Sequence, residues 1–320
     1  MKNKIITTLV VLSIVSLIVT GLWNGVSLNS LQKEILLVLV IICGSSALYC
    51  FIVGEITRNN SQMDKLWSIM PIVYVWVIAI MGGMSARLIV MAILVSIWGV
   101  RLTINFAKKG AYSIKFWSGV EDYRWSVLRK NKMLKSPFAW ALFDLFFISI
   151  TQNAIVLAIT LPALAVVPSS LSFGVIDYVA AVLTLFFIIY ETLGDIGQSH
   201  FQSEKYRLLG EGKKLEDLPN PWNMGFNTVG LWSYSRHPNY AGEQGTWLSF
   251  YLFVIGAGVT HFAIFNWSMT GCLVLVLLFI GSSSMSEGIS ASKYKGYSLY
   301  QRSVPKYIPL FWKKYSGDKQ

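Results

Sequence analysis

Apolar runs of about 20 residues recur along this chain, and they restrict its fold more than any motif does. A bilayer presents roughly 30 Å of hydrocarbon, and an α-helix needs about 20 residues to cross it with its backbone polar groups satisfied internally. Eight such runs are legible, at about 5–22, 34–53, 66–83, 86–106, 138–160, 173–194, 242–259 and 262–281. Their boundaries move by several residues, and seven to ten spans bracket the count. With 54% apolar and only 13% charged residues, and a mean hydropathy of +0.54, lipid is the expected solvent. The expected fold is therefore all-α: a polytopic transmembrane helical bundle.

The first run follows Lys2 and Lys4 as a signal-peptide core would, but no small-x-small cleavage site follows it. It continues through Thr20-Gly21-Leu22-Trp23, where an interfacial Trp suits the end of a retained span. Cys43, Cys50 and Cys272 fall inside spans and read as small apolar packing residues. No CxxC motif is present, and the three histidines, His200, His237 and His261, exclude a histidine-rich di-iron site. No metal is expected.

A net charge of +11 invites a nucleic-acid partner, yet the charges sort by topology. With an inside N-terminus, 24 of the 27 Lys and Arg fall in the N-terminus, 54–65, 107–137, 195–241 and 282–320. Only Lys33 and Arg87 face outside, and Arg101 lies within a span. This positive-inside bias accounts for the basic balance without nucleic acid and puts both termini in the cytoplasm. A bacterial inner membrane or the endoplasmic reticulum fits equally.

The organisation expected is a transmembrane hairpin over 1–60, a transmembrane catalytic domain over 61–310 and a polar tail over 311–320. Residues 107–137, with Glu121-Asp122-Tyr123-Arg124-Trp125, read either as a solvated loop near anionic headgroups or as a cofactor contact. Residues 195–241 carry Gly210, Gly212, Pro219, Pro221, Gly225 and Gly230, so interrupted structure is expected there. Residues 285–303 read as an amphipathic helix ending near Pro305 and Pro309.

Ionisable groups at membrane depth are costly, so their placement is informative. Arg101, Asp144, Glu191, Asp195 and Glu243 all fall on the cytoplasmic half of their spans, which suits a site for a charged cytosolic ligand. The densest constellation is Trp232-Ser-Tyr234-Ser-Arg236-His237-Pro238-Asn239-Tyr240-Ala-Gly-Glu243. Arg236 can fork onto phosphate, His237 adds a donor, Asn239 offers both an amide donor and an acceptor, and Tyr234 or Tyr240 can stack on a flat ring. No Rossmann fingerprint, P-loop, HExxH or nucleophile elbow accompanies them.

At these residues the sequence resembles the membrane family DUF1295, relatives of steroid 5α-reductase. The ordered series is Asp64-Lys-Leu-Trp67-Ser68, Trp98-Gly-Val-Arg101-Leu102, Glu121-Asp-Tyr-Arg124, Glu191 with Asp195 and Gln198, Ser235-Arg-His-Pro-Asn-Tyr240 with Glu243, then Tyr297, Tyr300 and Val304-Pro-Lys-Tyr-Ile-Pro309. It spans about 64–310. The resemblance implies a helical bundle whose cytoplasmic half holds NADPH while a lipophilic enone enters from the bilayer. It implies that Asn239 and Glu243 contact the cofactor, with Asp195 in the same site. Glu191 stands where steroid reductases have Asn; Tyr234, Arg236, His237, Tyr240, Lys293 and Tyr297 complete the expected cofactor set. Asp64 matches the carboxylate that works with a tyrosine on the substrate carbonyl, and Asp64 and Arg101 are the expected catalytic residues. The tyrosine itself is replaced by Trp98, whose indole N–H donates a hydrogen bond but is no general acid near neutral pH.

The expected activity is NAD(P)H-dependent reduction of an activated C=C bond in a lipophilic substrate. Two other readings stay open: an S-adenosylmethionine-dependent methyltransferase of the isoprenylcysteine type, which carries a near variant of Arg-His-Pro-Asn-Tyr, and a non-enzymatic membrane scaffold or transporter. The topology is directly testable. In a background freed of native cysteines, a cysteine placed at Lys115 or Lys213 should resist an impermeant maleimide applied to intact cells, and efficient labelling would overturn the orientation.

Overall fold

The computed structural model describes residues 20, 23–24, 26–260, 264–312 and 314–315. The run expected at 5–22 lies outside the described residues except for Thr20, and so do Lys313 and 316–320 of the polar tail.

Helix α1, Ser30–Thr57, begins at a reciprocal cap: the Asn29 side chain accepts from Gln32 N at 2.8 Å and the Gln32 side chain accepts from Asn29 N at 3.1 Å. It closes at Arg58 in the left-handed region, φ 56°. Short α2, Gln62–Leu66, leads into α3, Met70–Met81. At 12 residues α3 is about 18 Å long, well short of a bilayer crossing. Helix α4, Ala86–Lys108, is followed by α5, Tyr123–Arg129, within the 107–137 connection.

Ser136 and Pro137 then start a long helical run: α6, Pro137–Phe143, a π-helical segment over Asp144–Thr151, α7, Gln152–Ala158, and α8, Leu161–Val166. Helix α9, Val175–Gly210, exceeds the expected 173–194 by four turns. Helix α10 is Pro238–Gly256 and α11 is Thr270–Lys293. The expected amphipathic helix over 285–303 is divided: its first half belongs to α11, and Tyr297–Ser303 forms a separate two-turn α12 after a break at Gly296.

Among the described residues, five helical runs are long and apolar enough to cross a membrane: Ser30–Thr57, Ala86–Lys108, Pro137–Val166, Val175–Gly210 and Trp267–Lys293. Leu37, Ile41 and Leu48 of α1 stand well exposed, as do Val182 and Phe186 of α9, which is sensible only against lipid. The chain is an all-helical membrane protein. It forms two compact units, one of Met1–Ala181 with Ser249–Val274 and the other of Val182–Leu248 with Leu275–Gln320.

In the first unit α3 adjoins α4 and α1, and Tyr74 and Ile78 of α3, Met91, Val95 and Trp98 of α4, and Ile35 and Leu39 of α1 are all buried. Gly99 is required where these helices approach, because a β-carbon there would sit 2.4 Å from the Ser68 carbonyl oxygen. Trp98 is fully buried.

One buried ion pair locks the end of this unit where α4 and α9 begin. Arg87 Nε donates to Asp177 Oδ1 at 2.7 Å and its Nη2 to Asp177 Oδ2 at 2.9 Å. The same guanidinium donates to the carbonyls of Leu171, Ser172 and Gly256, and Gly174 N donates to Asp177. Both side chains are buried. Arg87, expected on the outer side of the membrane, is thus buried and paired within the first turn of α4, and buried charge is not confined to the expected set of Arg101, Asp144, Glu191, Asp195 and Glu243. Asp177, a carboxylate inside an apolar run, was the missed signal.

Removing one partner strands a charge in a dry interior. Arg87→Ala should therefore lower the unfolding free energy of the detergent-solubilised protein by about 3–5 kcal/mol, with little rescue by Arg87→Lys, which lacks the fork. A wild-type melting curve in Arg87→Ala would show that the pair does not hold the helices.

Candidate functional site

In the second unit, Glu191, Asp195 and Gln198 follow one another at spacings of four and three along α9, so they share one face of that helix. Asn239 and Glu243, four apart, do the same on the first turns of α10. Two glycines bring the faces together. A β-carbon on Gly242 would lie 2.7 Å from Glu191 Cα, and one on Gly194 would lie 3.0 Å from Asn239 N. Across this contact Asn239 Nδ2 donates to Asp195 Oδ1 at 3.1 Å. Trp247 Nε1 donates to Glu243 Oε1 at 3.0 Å, and both residues are buried, as is Glu191.

Two acceptors on this seam stand out. Asn239 Oδ1 and Gln198 Oε1 are both buried with no hydrogen-bond partner among the described residues. A buried acceptor without a donor costs about 1–3 kcal/mol, so each calls for a donor from elsewhere. The seam is thus acceptor-rich: two amide oxygens beside the carboxylates of Glu191, Asp195 and Glu243.

The Ser235-Arg236-His237 stretch does different work. Arg236 N donates to Pro305 O at 2.9 Å, His237 N to Lys306 O at 3.0 Å, and Ser235 Oγ to Tyr307 O at 2.8 Å. Arg236 Nε meets Glu287 Oε1 at 2.7 Å, its Nη1 donates to the carbonyls of Gln301 and Val304, and His237 Nε2 lies 2.9 Å from Glu287 Oε1. The fork expected on a phosphate is therefore taken up by Glu287 of α11 and by the chain leaving α12. Glu287 is the residue that sequence reasoning missed; the signal was a carboxylate closing the Ser-rich stretch Gly281-Ser-Ser-Ser-Met-Ser-Glu287 of an otherwise apolar helix.

The aromatic residues expected to stack on a ligand stack on one another. Tyr240 lies on His237, ring centroids 5.2 Å apart, and against Phe279 at 4.7 Å; Tyr234 meets Phe311 at 5.6 Å. Tyr297 is buried in a cluster with Phe226, Tyr300 and Val304, and burial pushes its phenol up to about 12. Phe226 belongs to the 195–241 connection, which does fold over something: this tyrosine cluster. Gly225, at φ +80°, is needed there because a β-carbon would strike the Tyr294 ring. Lys293 is exposed, its ammonium 5.3 Å from the Tyr294 ring centroid.

Asp64 and Arg101 belong to the first unit. Asp64 accepts from Arg124 Nη2 at 3.2 Å and from Trp125 Nε1 at 2.8 Å. Burial pushes its carboxyl up, against the pull of Arg124. Neighbouring Lys65 is buried and donates to the carbonyls of Phe116 and Ser118, and burial pushes its ammonium down. Glu121 takes both Arg129 and the Asn60 amide. Part of the 107–137 connection is accordingly a clamp on Asn59–Lys65, while Lys130–Met133 and Lys135 are exposed. Arg101 is half-buried on α4.

The sequence model of the family described as "Protein of unknown function (DUF1295)" matches residues 50–304. The chain belongs to the DUF1295 family. The matched span contains every residue of the seam, Arg236, His237 and Glu287, together with Asp64 and Arg101. An uncharacterized protein of Schizosaccharomyces pombe is 33% identical over 289 residues, covering 82% of this chain and 78% of its own length. No solved structure matches.

For NADPH, the donor-bearing parts of the molecule suit this DUF1295 seam: ribose hydroxyls and a carboxamide NH2 need the acceptors that Asn239 and Gln198 leave open. Arg236, expected on its phosphates, is committed to Glu287.

The backbone contact at Gly242 makes the seam testable as a structure. Gly242→Ala forces α9 and α10 apart and should cost about 1–3 kcal/mol of stability, measured by thermal unfolding in detergent, whereas Gly210→Ala, in open space, should melt as wild type. Equal melting of Gly242→Ala and wild type would refute the contact.

Proposed function

We propose that the seam of Glu191, Asp195, Gln198, Asn239 and Glu243 binds a nicotinamide dinucleotide, and that the chain is a membrane-embedded NAD(P)H-dependent reductase of an activated C=C bond in a lipophilic, enone-like substrate. The observation that carries this reading is the pair of buried acceptors without donors, Asn239 Oδ1 and Gln198 Oε1, on two helices in backbone contact. When bound, the cofactor supplies the hydride. The protein's part is to orient and to exclude water. Asn239, fixed by its own bond to Asp195, presents its oxygen in one direction, and the Gly194 and Gly242 contacts leave the two helices little freedom to shift. Asp64 and Arg101 remain the residues proposed to act on the acceptor carbonyl, with Asp64 oriented by Arg124 and Trp125.

A second reading is favoured by one specific observation. Arg236, the strongest argument for a phosphate-bearing ligand, is spent on Glu287, while the seam carries three carboxylates, Glu191, Asp195 and Glu243. A sulfonium cation suits such a surface, so S-adenosylmethionine is the competing cofactor. The resemblance of the sequence to steroid 5α-reductases supports the first reading, and Trp98 at the position their tyrosine would take favours a substrate polarised by other groups.

The readings separate by ligand. Thermal stabilisation of the solubilised protein by NADPH is expected, with Asn239→Ala weakening NADPH binding by about 1–3 kcal/mol while the ligand-free protein still folds. Stabilisation by S-adenosylmethionine alone would sink the reductase; unchanged NADPH affinity in Asn239→Ala would remove Asn239 from the site.

A further inference from the structure

Four basic residues crowd the seven-residue stretch Arg129-Lys-Asn-Lys-Met-Leu-Lys135, immediately before the helical run of Pro137–Val166. Within the first unit this stretch borders an open cavity of about 340 Å³, at the lower end of the roughly 300–1,000 Å³ usual for small-ligand pockets. Arg58, Arg129 and Lys135 line it, with Glu55, Ser136 and Trp140.

The position of the cavity along the helices fixes its depth. Arg58 is the C-cap of α1 and Ser136 is the N-cap of α6, so two runs capable of crossing the membrane end at this one cavity. It therefore opens at the bilayer surface. Exposed Phe138, Leu142 and Phe146 continue from it along the lipid-facing side of the run that begins at Pro137.

The three cations differ in how they are held. Arg129 is anchored: its guanidinium is paired with Glu121 and lies over the Trp140 ring at 4.6 Å. Arg58 meets Glu55 only at 3.9 Å, with its side chain 77% exposed. Lys135 is exposed and makes no ion pair among the described residues. One fixed and two adaptable cations at headgroup depth, with Glu55 and Ser136 able to accept from hydroxyls, make a receptor for a phosphodiester that carries a polyol.

We infer that this cavity binds the phosphate of an anionic glycerophospholipid, whose acyl chains lie along Phe138, Leu142 and Phe146. A juxtamembrane basic cluster is attracted to anionic headgroups in general. The cavity adds a defined place, and it distinguishes one bound lipid from a diffuse ionic atmosphere.

The test uses the full chain in neutral detergent, with phosphatidylglycerol, phosphatidylcholine and inorganic phosphate as separate probes. Binding is read by native mass spectrometry and by thermal shift. Phosphatidylglycerol should bind at about one site and raise the melting temperature; phosphatidylcholine and phosphate should not. The double variant Arg58→Ala, Lys135→Ala should bind phosphatidylglycerol roughly tenfold to thirtyfold more weakly. Lys135→Arg and the control Lys213→Ala should bind as wild type, and folding of the double variant is checked by its melting curve without lipid. Should that variant fail to fold, Lys135→Gln alone takes its place, with binding expected to weaken. Equal phosphatidylglycerol affinity in wild type and the charge-removed variant would overturn the site. Stabilisation by phosphate matching that by phosphatidylglycerol would overturn the lipid as its source.

Discussion

A charged side chain at membrane depth persists only where a fixed partner or a polar cavity receives it, and that constraint organises this molecule. Arg87 with Asp177, Arg236 with Glu287, and Asn60 with Asp144 join segments 50 to 90 residues apart in the chain. None of these pairs is evidence of great stability, because desolvation offsets much of the attraction. They act as position markers: losing one partner strands the other, so each pair admits one arrangement of its helices. Asp144 shows the principle locally. It sits at the start of a π-helical segment and accepts from Asn60 at 2.7 Å and from Ser149 at 3.3 Å.

The class of fold was legible because apolar length is a local property. The helix starts were missed by a few residues, although Asn29-x-x-Gln32 and Ser136-Pro137 carry local capping signals within four residues of what they cap. The role of Arg236 was not legible. Its neighbours suggested a nucleotide grip, while its partner Glu287 lies 51 positions away and becomes apparent only once α11 is placed. Asp177 escaped notice for a similar reason: inside an apolar run it gave a depth but no partner. The extension of α9 to Gly210 was obscured by polar residues, which α-helix beyond a membrane tolerates and a span does not.

At the seam, sequence and structure converge from different directions. The spacing of Glu191, Asp195 and Gln198 and of Asn239 and Glu243 places each set on one helix face, and Gly194 and Gly242 explain why those faces can meet. Membership of the DUF1295 family covers all of these positions. Hydrogen-bond satisfaction separates the two groups: Arg236 and His237 have protein partners, whereas the oxygens of Asn239 and Gln198 have none among the described residues. The proposed cofactor site therefore rests on acceptors, and the arginine belongs to the frame that carries them.

The assignment of Arg236 to that frame is the central claim, and a double-mutant cycle on unfolding free energy, using Arg236→Ala, Glu287→Gln and the double variant, tests it most directly. A coupling of about 2 kcal/mol or more is expected for a pair this close and this buried. A coupling near zero, with the single variants as stable as wild type, would free Arg236 for a ligand and contradict the account.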